Sequence, residues 1–437
     1  MSRITIGGVG GVLALWWLTA GATALGADTF TFDPTEFEKK PLEFGGSLEF
    51  KPERTWLNQD GALYQLNFYS REDRATLDRA SATLKLNGKY THGATTFNLR
   101  ANAELREDAL ATERVRRFDE AYLSFKPNPR LTVDAGKVTL KWGKGYAWNP
   151  VGFVERPKDP NDVELAREGF TLVAADYIRH FDGALRTVAF TPLLLPVTDD
   201  MNQDFGEPEH INVAAKLYGL YRDTDIDFTW LSNGSRTPRF GFDFARNLTP
   251  ALEVHGEWAR VADVITRLVD PLGAVTTRRG DATSTLLGLR YLAARDTTFV
   301  LEYYRNGGGY TEAQTNDFYT AVDIGLQQFQ ATGDDALLEK IKGVSRTGFA
   351  RPNAMQRYLY FRVSQKEPFD MLYFTPAVIT LVNLDDRSYS VTPEVGYTGI
   401  TNLNLRMRAT WLGGPKNSEF GDKQNDARLE LMARYYF

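Results

Sequence analysis

The chain has 437 residues, a net charge of −5 and no cysteine, which excludes disulfides, thiolate metal sites and cysteine nucleophiles. With 51 basic residues against 56 acidic ones it offers no footprint for nucleic acid. Aromatic residues are frequent, at 13%, and mean hydropathy is negative. A transmembrane barrel is compatible with such a value, because half of each strand faces a polar lumen.

The N-terminus reads as a targeting segment. Arg3 precedes an uncharged, mostly apolar run from Ile4 to Ala20, and small residues continue to Ala27. That order of charge, apolar run and small residues is a secretory signal peptide, assigned to residues 1–27. Residues 28–60 are expected to form an N-terminal periplasmic segment or a first strand, and residues 61–437 a barrel.

From there the chain alternates. In Thr95–Arg106, Phe97, Leu99, Ala101, Ala103 and Leu105 share one face, and Asn98, Arg100, Asn102 and Glu104 the other. A strand sends successive side chains to opposite faces, so one face is apolar and the other polar. The pattern returns at Ile211–Arg222, Leu252–Trp258, Leu403–Trp411 and Leu429–Phe437. It predicts eighteen strands, the first at 61–70 and the last at 427–437, with sixteen as the alternative count. Leu42–Phe50 also alternates and is left over, either as a further strand or as a segment along the periplasmic rim. Short connections at Lys126–Arg130, Phe181–Ala184, Arg222–Thr224 and Ala294–Asp296 alternate with long ones at 140–168, 262–281 and 307–354. Such asymmetry belongs to antiparallel barrels with short periplasmic turns and long outer loops. Within 307–354, Phe318, Val322, Leu326, Phe329, Leu338 and Ile341 fall at helical spacing around a break at Gly333, so a short helical insertion in one outer loop is expected. The fold class is therefore all-β, a transmembrane antiparallel barrel.

The loop 140–168 concentrates chemistry. Trp142, Lys144, Tyr146, Trp148, Asn149 and Arg156 are the candidate constriction residues. Glycines at 143 and 145 permit unusual backbone angles, and Pro150, Pro157 and Pro160 stiffen the rest of the loop. Its aromatic faces would suit stacking on sugars or on flat apolar solutes; a surface loop with interfacial tryptophans is the competing reading. On the strands, Asp225, Asp227, Asp243, Glu253 and Glu257 are expected on one lumen wall. Arg406, Arg408, Arg428 and Arg434 are expected on the opposite one, Arg406 and Arg408 facing water, with Lys85, Arg100, Lys216, Arg290 and Glu430 diluting the pattern. Opposed walls would set a transverse field across a pore. His255, between Glu253 and Glu257, is read as a lumen side chain. No catalytic residue, metal site or cofactor is assigned.

The terminal strand, with Leu429, Leu431, Ala433, Tyr435 and a final Phe437 on one face, resembles the closing strand of outer-membrane proteins. Together with the alternation and the segment Lys141–Pro150, it makes the chain similar to porin-like outer-membrane channels, specifically the eighteen-strand substrate-specific and alginate-export-like barrels. The resemblance implies a Gram-negative outer-membrane location and passive passage of small or specific solutes. It implies outer-membrane lipids and the barrel-assembly machinery as partners, and no nucleic acid. Homo-oligomerisation stays open. Export of a polymer or lipidic product is the alternative, and an outer-membrane lipid-modifying enzyme a more distant one.

Overall fold

The computed structural model describes residues 41–162 and 168–437. The signal peptide assigned to 1–27, and Glu164 and Arg167 of the long loop, lie outside the described residues. The described chain forms eighteen strands: β1 Leu42–Leu57, β2 Thr76–His92, β3 Thr95–Asp108, β4 Thr112–Asn128, β5 Leu131–Val138, β6 Phe170–His180, β7 Leu185–Val197, β8 His210–Tyr221 and β9 Thr224–Leu231 make the first half. The second half is β10 Arg239–Thr249, β11 Leu252–Val269, β12 Val275–Ala293, β13 Thr297–Arg305, β14 Arg357–Gln365, β15 Phe374–Asn383, β16 Tyr389–Ile400, β17 Leu403–Gly413 and β18 Asn425–Tyr436. Three helices interrupt them: α1 Ala62–Phe68, α2 Glu312–Thr332 and α3 Ala336–Thr347. Every strand pairs antiparallel with its sequence neighbour, and β1 pairs with β18, so the sheet closes and leaves no edge.

The sheet is apolar outside and polar inside. On β1, Leu48 and Phe50 are 54% and 53% exposed, while Ser47 between β2 and β18 is 5% exposed. On β18, Leu431 and Tyr435 point outward and Glu430 and Met432 are buried within. In water such a belt of apolar side chains would be unstable, whereas in hydrocarbon it is the required surface, so this is a membrane-spanning barrel.

Closure depends on the C-terminus. Phe437 N–H donates to the Gly46 carbonyl at 3.1 Å, and Gly46 N–H returns to the Phe437 carbonyl at 2.9 Å. A side chain at Gly46 would meet the Phe437 ring at 2.7 Å and the Lys85 carbonyl at 2.5 Å. The β1–β18 ladder skips Lys51 and Pro52, where proline has no N–H to give, while the β1–β2 register runs on past Pro52.

Two expectations need correction here. The strand expected at 61–70 is helix α1. Its alternating Ala62, Tyr64, Leu66 and Phe68 imitate a strand, but Tyr64 and Phe68 stack one turn apart at 4.7 Å. Ala62, Leu63 and Leu66 face a second apolar cluster. A short segment apolar on two sides fits either period. The first strand is instead the leftover segment, extended to Leu57. The long loop expected at 262–281 is a continuation of β11 and β12, which turn only at Asp270–Ala274, with Gly273 at φ 78°.

At the long-loop end, α1, α2 and α3 pack together. Phe318, Tyr319, Val322, Leu338 and Ile341 are buried with Ala62, Leu63 and Leu66 and with Val269 of β11. The α2 N-terminus is set by a capping box, Thr311 Oγ1 accepting from Gln314 N at 3.3 Å and Gln314 Oε1 from Thr311 N at 3.0 Å. Its C-terminus is Gly333 at φ 75°.

Candidate constriction inside the barrel

The segment 139–162 leaves β5 and turns into the barrel. It first meets a row of carboxylates. Asp227, Asp243 and Glu257 are direct cross-strand neighbours on β9, β10 and β11. Like charges in that position repel. The loop supplies the compensation. Lys144 Nζ lies 2.7 Å from Asp227 Oδ2 and 3.8 Å from Asp243 Oδ1. Glu257 accepts backbone N–H groups from Lys144 and Gly145 at 2.7 Å each and from Val151 at 3.2 Å. Glu302, on β13, accepts from Tyr146 at 2.5 Å and Ala147 at 2.8 Å. Two carboxylates thus satisfy five loop amides, and bonds from N–H to an ionised acceptor are the strong kind.

The glycines make this approach feasible. Gly143 has φ 89°, and a Cβ there would stand 2.7 Å from Glu257 Oε1. At Gly145 a Cβ would stand 2.8 Å from Leu286 Cδ1. Trp148 stacks on Tyr304 at 4.9 Å and is edged by Tyr360 at 6.0 Å. Trp142 packs with Val151, Phe153, Val154 and Phe170. At 2% and 6% exposure, Trp142 and Trp148 are anchors of the loop. They are neither interfacial side chains nor open faces for a solute, so both expectations for them are corrected. Asn149 Nδ2 donates to Glu155 at 3.3 Å, and Glu155 also accepts from Trp142 N.

The loop then reaches the far wall. Asp162 Oδ2 lies 3.2 Å from both Arg406 and Arg408 of β17. Burial pushes the Asp162 carboxyl up, but Arg408 and Arg406 outweigh it and hold it below the ordinary value. For Lys144, burial works against the charge, and Asp227 and Asp243 more than restore it, so its pKa is raised. On the return, Arg156 donates to the Glu168 carbonyl at 3.1 Å and sits 4.6 Å over the Phe170 ring. Glu168 pairs with Lys137 and approaches Arg117 at 3.7 Å.

The remaining expected lumen residues are each partnered. Asp225 accepts from Tyr218 Oη at 2.5 Å. Glu253 lies 3.6 Å from His255 Nδ1. Arg100 meets Glu120 at 3.2 Å, Arg428 meets Glu53 at 3.9 Å, and Arg434 meets Glu49 at 2.7 Å. Arg406 and Arg408 share Glu394 and Glu430 as well as Asp162. The basic wall is therefore matched by carboxylates on the adjoining strands, and a bare transverse field does not arise. His255 is enclosed at 0% exposure, its Nε2 2.8 Å from Glu302. It steadies the acceptor of the Tyr146 and Ala147 amides rather than facing the lumen.

Glu302 and Glu394 escaped the sequence reading. Glu302 alternates with the outward Leu301 and Tyr303, so the period-2 pattern contained it. Nothing in the sequence said that a distant loop would use it.

Fold and site together define a membrane-spanning barrel of eighteen strands with a loop docked across its interior. Crystal structures with similar barrels include Pseudomonas aeruginosa OccK5 (OpdH), at 13% identity and TM-score 0.52 over 90% of this chain and 98% of that one. Pseudomonas aeruginosa OprD matches at 11% identity and TM-score 0.51, over 91% and 95%. Acinetobacter baumannii OccAB1 matches at 12% and 0.50, over 90% and 96%. At such identities the likeness is one of fold. No family model matches the chain, and no curated protein is similar to it in sequence.

Proposed function

We propose that the chain is a passive outer-membrane channel for small polar solutes, narrowed by the segment 139–162. The observation that carries this reading is the double anchorage of that segment, to Glu257 and Glu302 on one side and to Arg406 and Arg408 on the other. A segment fastened to two walls subdivides the lumen and leaves passage along the sector from β18 through β1 to β5. That sector carries Lys51, Lys85, Arg100, Arg117 and Arg428 interleaved with Glu53, Asp119, Glu120 and Glu430, and Lys85 has no carboxylate partner among the described residues. A lining of paired opposite charges suits small polar solutes. A conduit for a polymer would need the space that the docked segment takes.

The test is excision of Lys144–Pro160, bridged by two glycines, in the full barrel. Glu257, Glu302 and the other carboxylates would regain water once the loop is gone, so the strands still pair. Single-channel conductance in a planar bilayer should rise, and the reversal potential in a salt gradient should move toward the unselective value. Unchanged conductance in a correctly folded variant would reject the constriction.

A further inference from the structure

A cavity of about 960 Å³ opens at the long-loop end, between the β1–β2 connection with α1, the α2 helix and the turn at 416–422. It shares no lining residue with the docked loop and is not needed for the constriction. Its volume falls in the range of ligand clefts, about 300–1,000 Å³. Its walls are fixed to one another. Asn58 Nδ2 donates to the Gly421 carbonyl at 2.8 Å, Ala62 N to Asp422 Oδ1 at 3.1 Å, and Tyr319 Oη to the Ser418 carbonyl at 3.2 Å. Lys416 is tied to Asp323 at 3.0 Å.

The lining groups, unlike the walls, stay open to solvent: Gln59, Gln327 and Gln330 are exposed and Gln65 is half-buried. Four side-chain amides, Gln59, Gln65, Gln327 and Gln330, line the cavity, and none has a hydrogen-bond partner among the described residues. Each amide both donates and accepts. The carboxylates of Asp60 and Asp73 are likewise unpartnered there, and they accept only. Between the polar groups stand Tyr69 and Phe329, edge to face at 4.9 Å. Arg71 is the one lining cation without a carboxylate among the described residues, since Lys416 is spent on Asp323.

We infer that this cavity is a binding site for an uncharged, hydroxyl-rich saccharide. Hydroxyl groups both donate and accept, as the four amides do, and the carboxylates take further hydroxyl protons. The C–H groups of a sugar ring pack on aromatic faces, whose quadrupole is negative, and Tyr64, Phe68, Tyr69 and Phe329 line the cavity. An anionic ligand would meet Asp60 and Asp73 against Arg71 alone, and an apolar one would strip water from the amides without replacing it. Preorganised walls lower the ordering cost of binding. The ligand arrives either as a free oligosaccharide or as the uncharged outer polysaccharide of a neighbouring lipopolysaccharide.

Calorimetric titration of the whole refolded protein in detergent decides, with maltotriose as one probe and a purified neutral fragment of the outer lipopolysaccharide polysaccharide as the other. Saturable heat from either probe is expected. Gln327→Ala with Gln330→Ala, both on α2, should weaken it about tenfold, the loss of two hydrogen bonds. A second variant, Gln65→Leu on α1, should weaken it independently. Heat-modifiability on gels checks that each variant is folded. Binding of maltotriose identifies a free solute as the source; binding of the outer-polysaccharide fragment alone identifies the membrane glycan. Absence of saturable heat from both probes, or equal affinity in parent and variants, overturns the inference. Because binding is measured rather than current, a failure here is separate from a failure of the channel reading.

Discussion

Lys144 concentrates much of the energetics of the docked loop in one side chain. It answers two carboxylates that are almost wholly enclosed, Asp227 and Asp243. Removing one partner of such a group leaves uncompensated buried charge, at a cost of about 3–5 kcal/mol. Since a quarter of the Lys144 side chain stays exposed, the low end applies. Lys144→Met is therefore expected to lower barrel stability by about 3 kcal/mol, measured by denaturant unfolding. A loss below about 0.5 kcal/mol, the scatter of an ordinary surface change, would show that the carboxylates are neutralised otherwise. The two anchors also set a pH window. The folded pKa of Asp162 is depressed, so its contribution is present above the unfolded value, about 3.9, and is lost as pH falls through the lower folded one. The folded pKa of Lys144 is raised, so its contribution is present below about 10.4 and is lost as pH rises through the higher folded one. The Asp162 anchor should release, and conductance step upward, as pH falls through that lower folded value. In Asp162→Asn that acid step should vanish; its persistence would assign the step to another group.

At the scale of elements, closure rests on β1 meeting β18, and Gly46 is where they touch. Gly46→Val would drive a branched side chain into the Lys85 carbonyl and the Phe437 ring. Folded yield, read by heat-modifiability and outer-membrane fractionation, should collapse. Leu431→Asp places a charge on the lipid face at a cost of roughly 2–4 kcal/mol near the midplane, and should lower it too. Normal yield from both would mean that the β1–β18 seam forms without these contacts. The terminal strand was legible in the sequence because lipid and lumen impose opposite demands on alternate residues. β1 was harder to read because Pro52 interrupts it. Helix α1 was misread because seven residues, apolar on two sides, satisfy both periods. The α2 insertion was legible from its spacing and from Gly333. In the site, the glycines and the richness of 140–168 were legible. The water-facing role given to Arg406 and Arg408 was not sustained, because it depends on Asp162 and Glu394, which are distant in sequence. Local period says which face a side chain takes; it does not say what arrives from elsewhere to cover it.

Across the whole molecule two structures stand in series: the helical roof at the long-loop end and the docked loop within. They are held by different forces. The roof is an apolar cluster around Phe318, Tyr319, Val322, Leu338 and Ile341, backed by Val269. The docked loop is held chiefly by charged acceptors and two buried tryptophans. Resistances in series add, and the narrowest stretch dominates the sum. If the docked loop forms that stretch, replacing Glu312–Thr347 by a short glycine linker should leave single-channel conductance within experimental scatter of the parent. The same change strips cover from Ala62, Leu63 and Leu66, so thermal stability should fall, because burying each such side chain is worth about 1.5–3 kcal/mol for the larger ones. Combining it with excision of Lys144–Pro160 should give the conductance of the loop excision alone. A rise on removing the roof alone, as large as that on removing the loop, would move the narrow stretch to α2 and α3 and make the roof the gate.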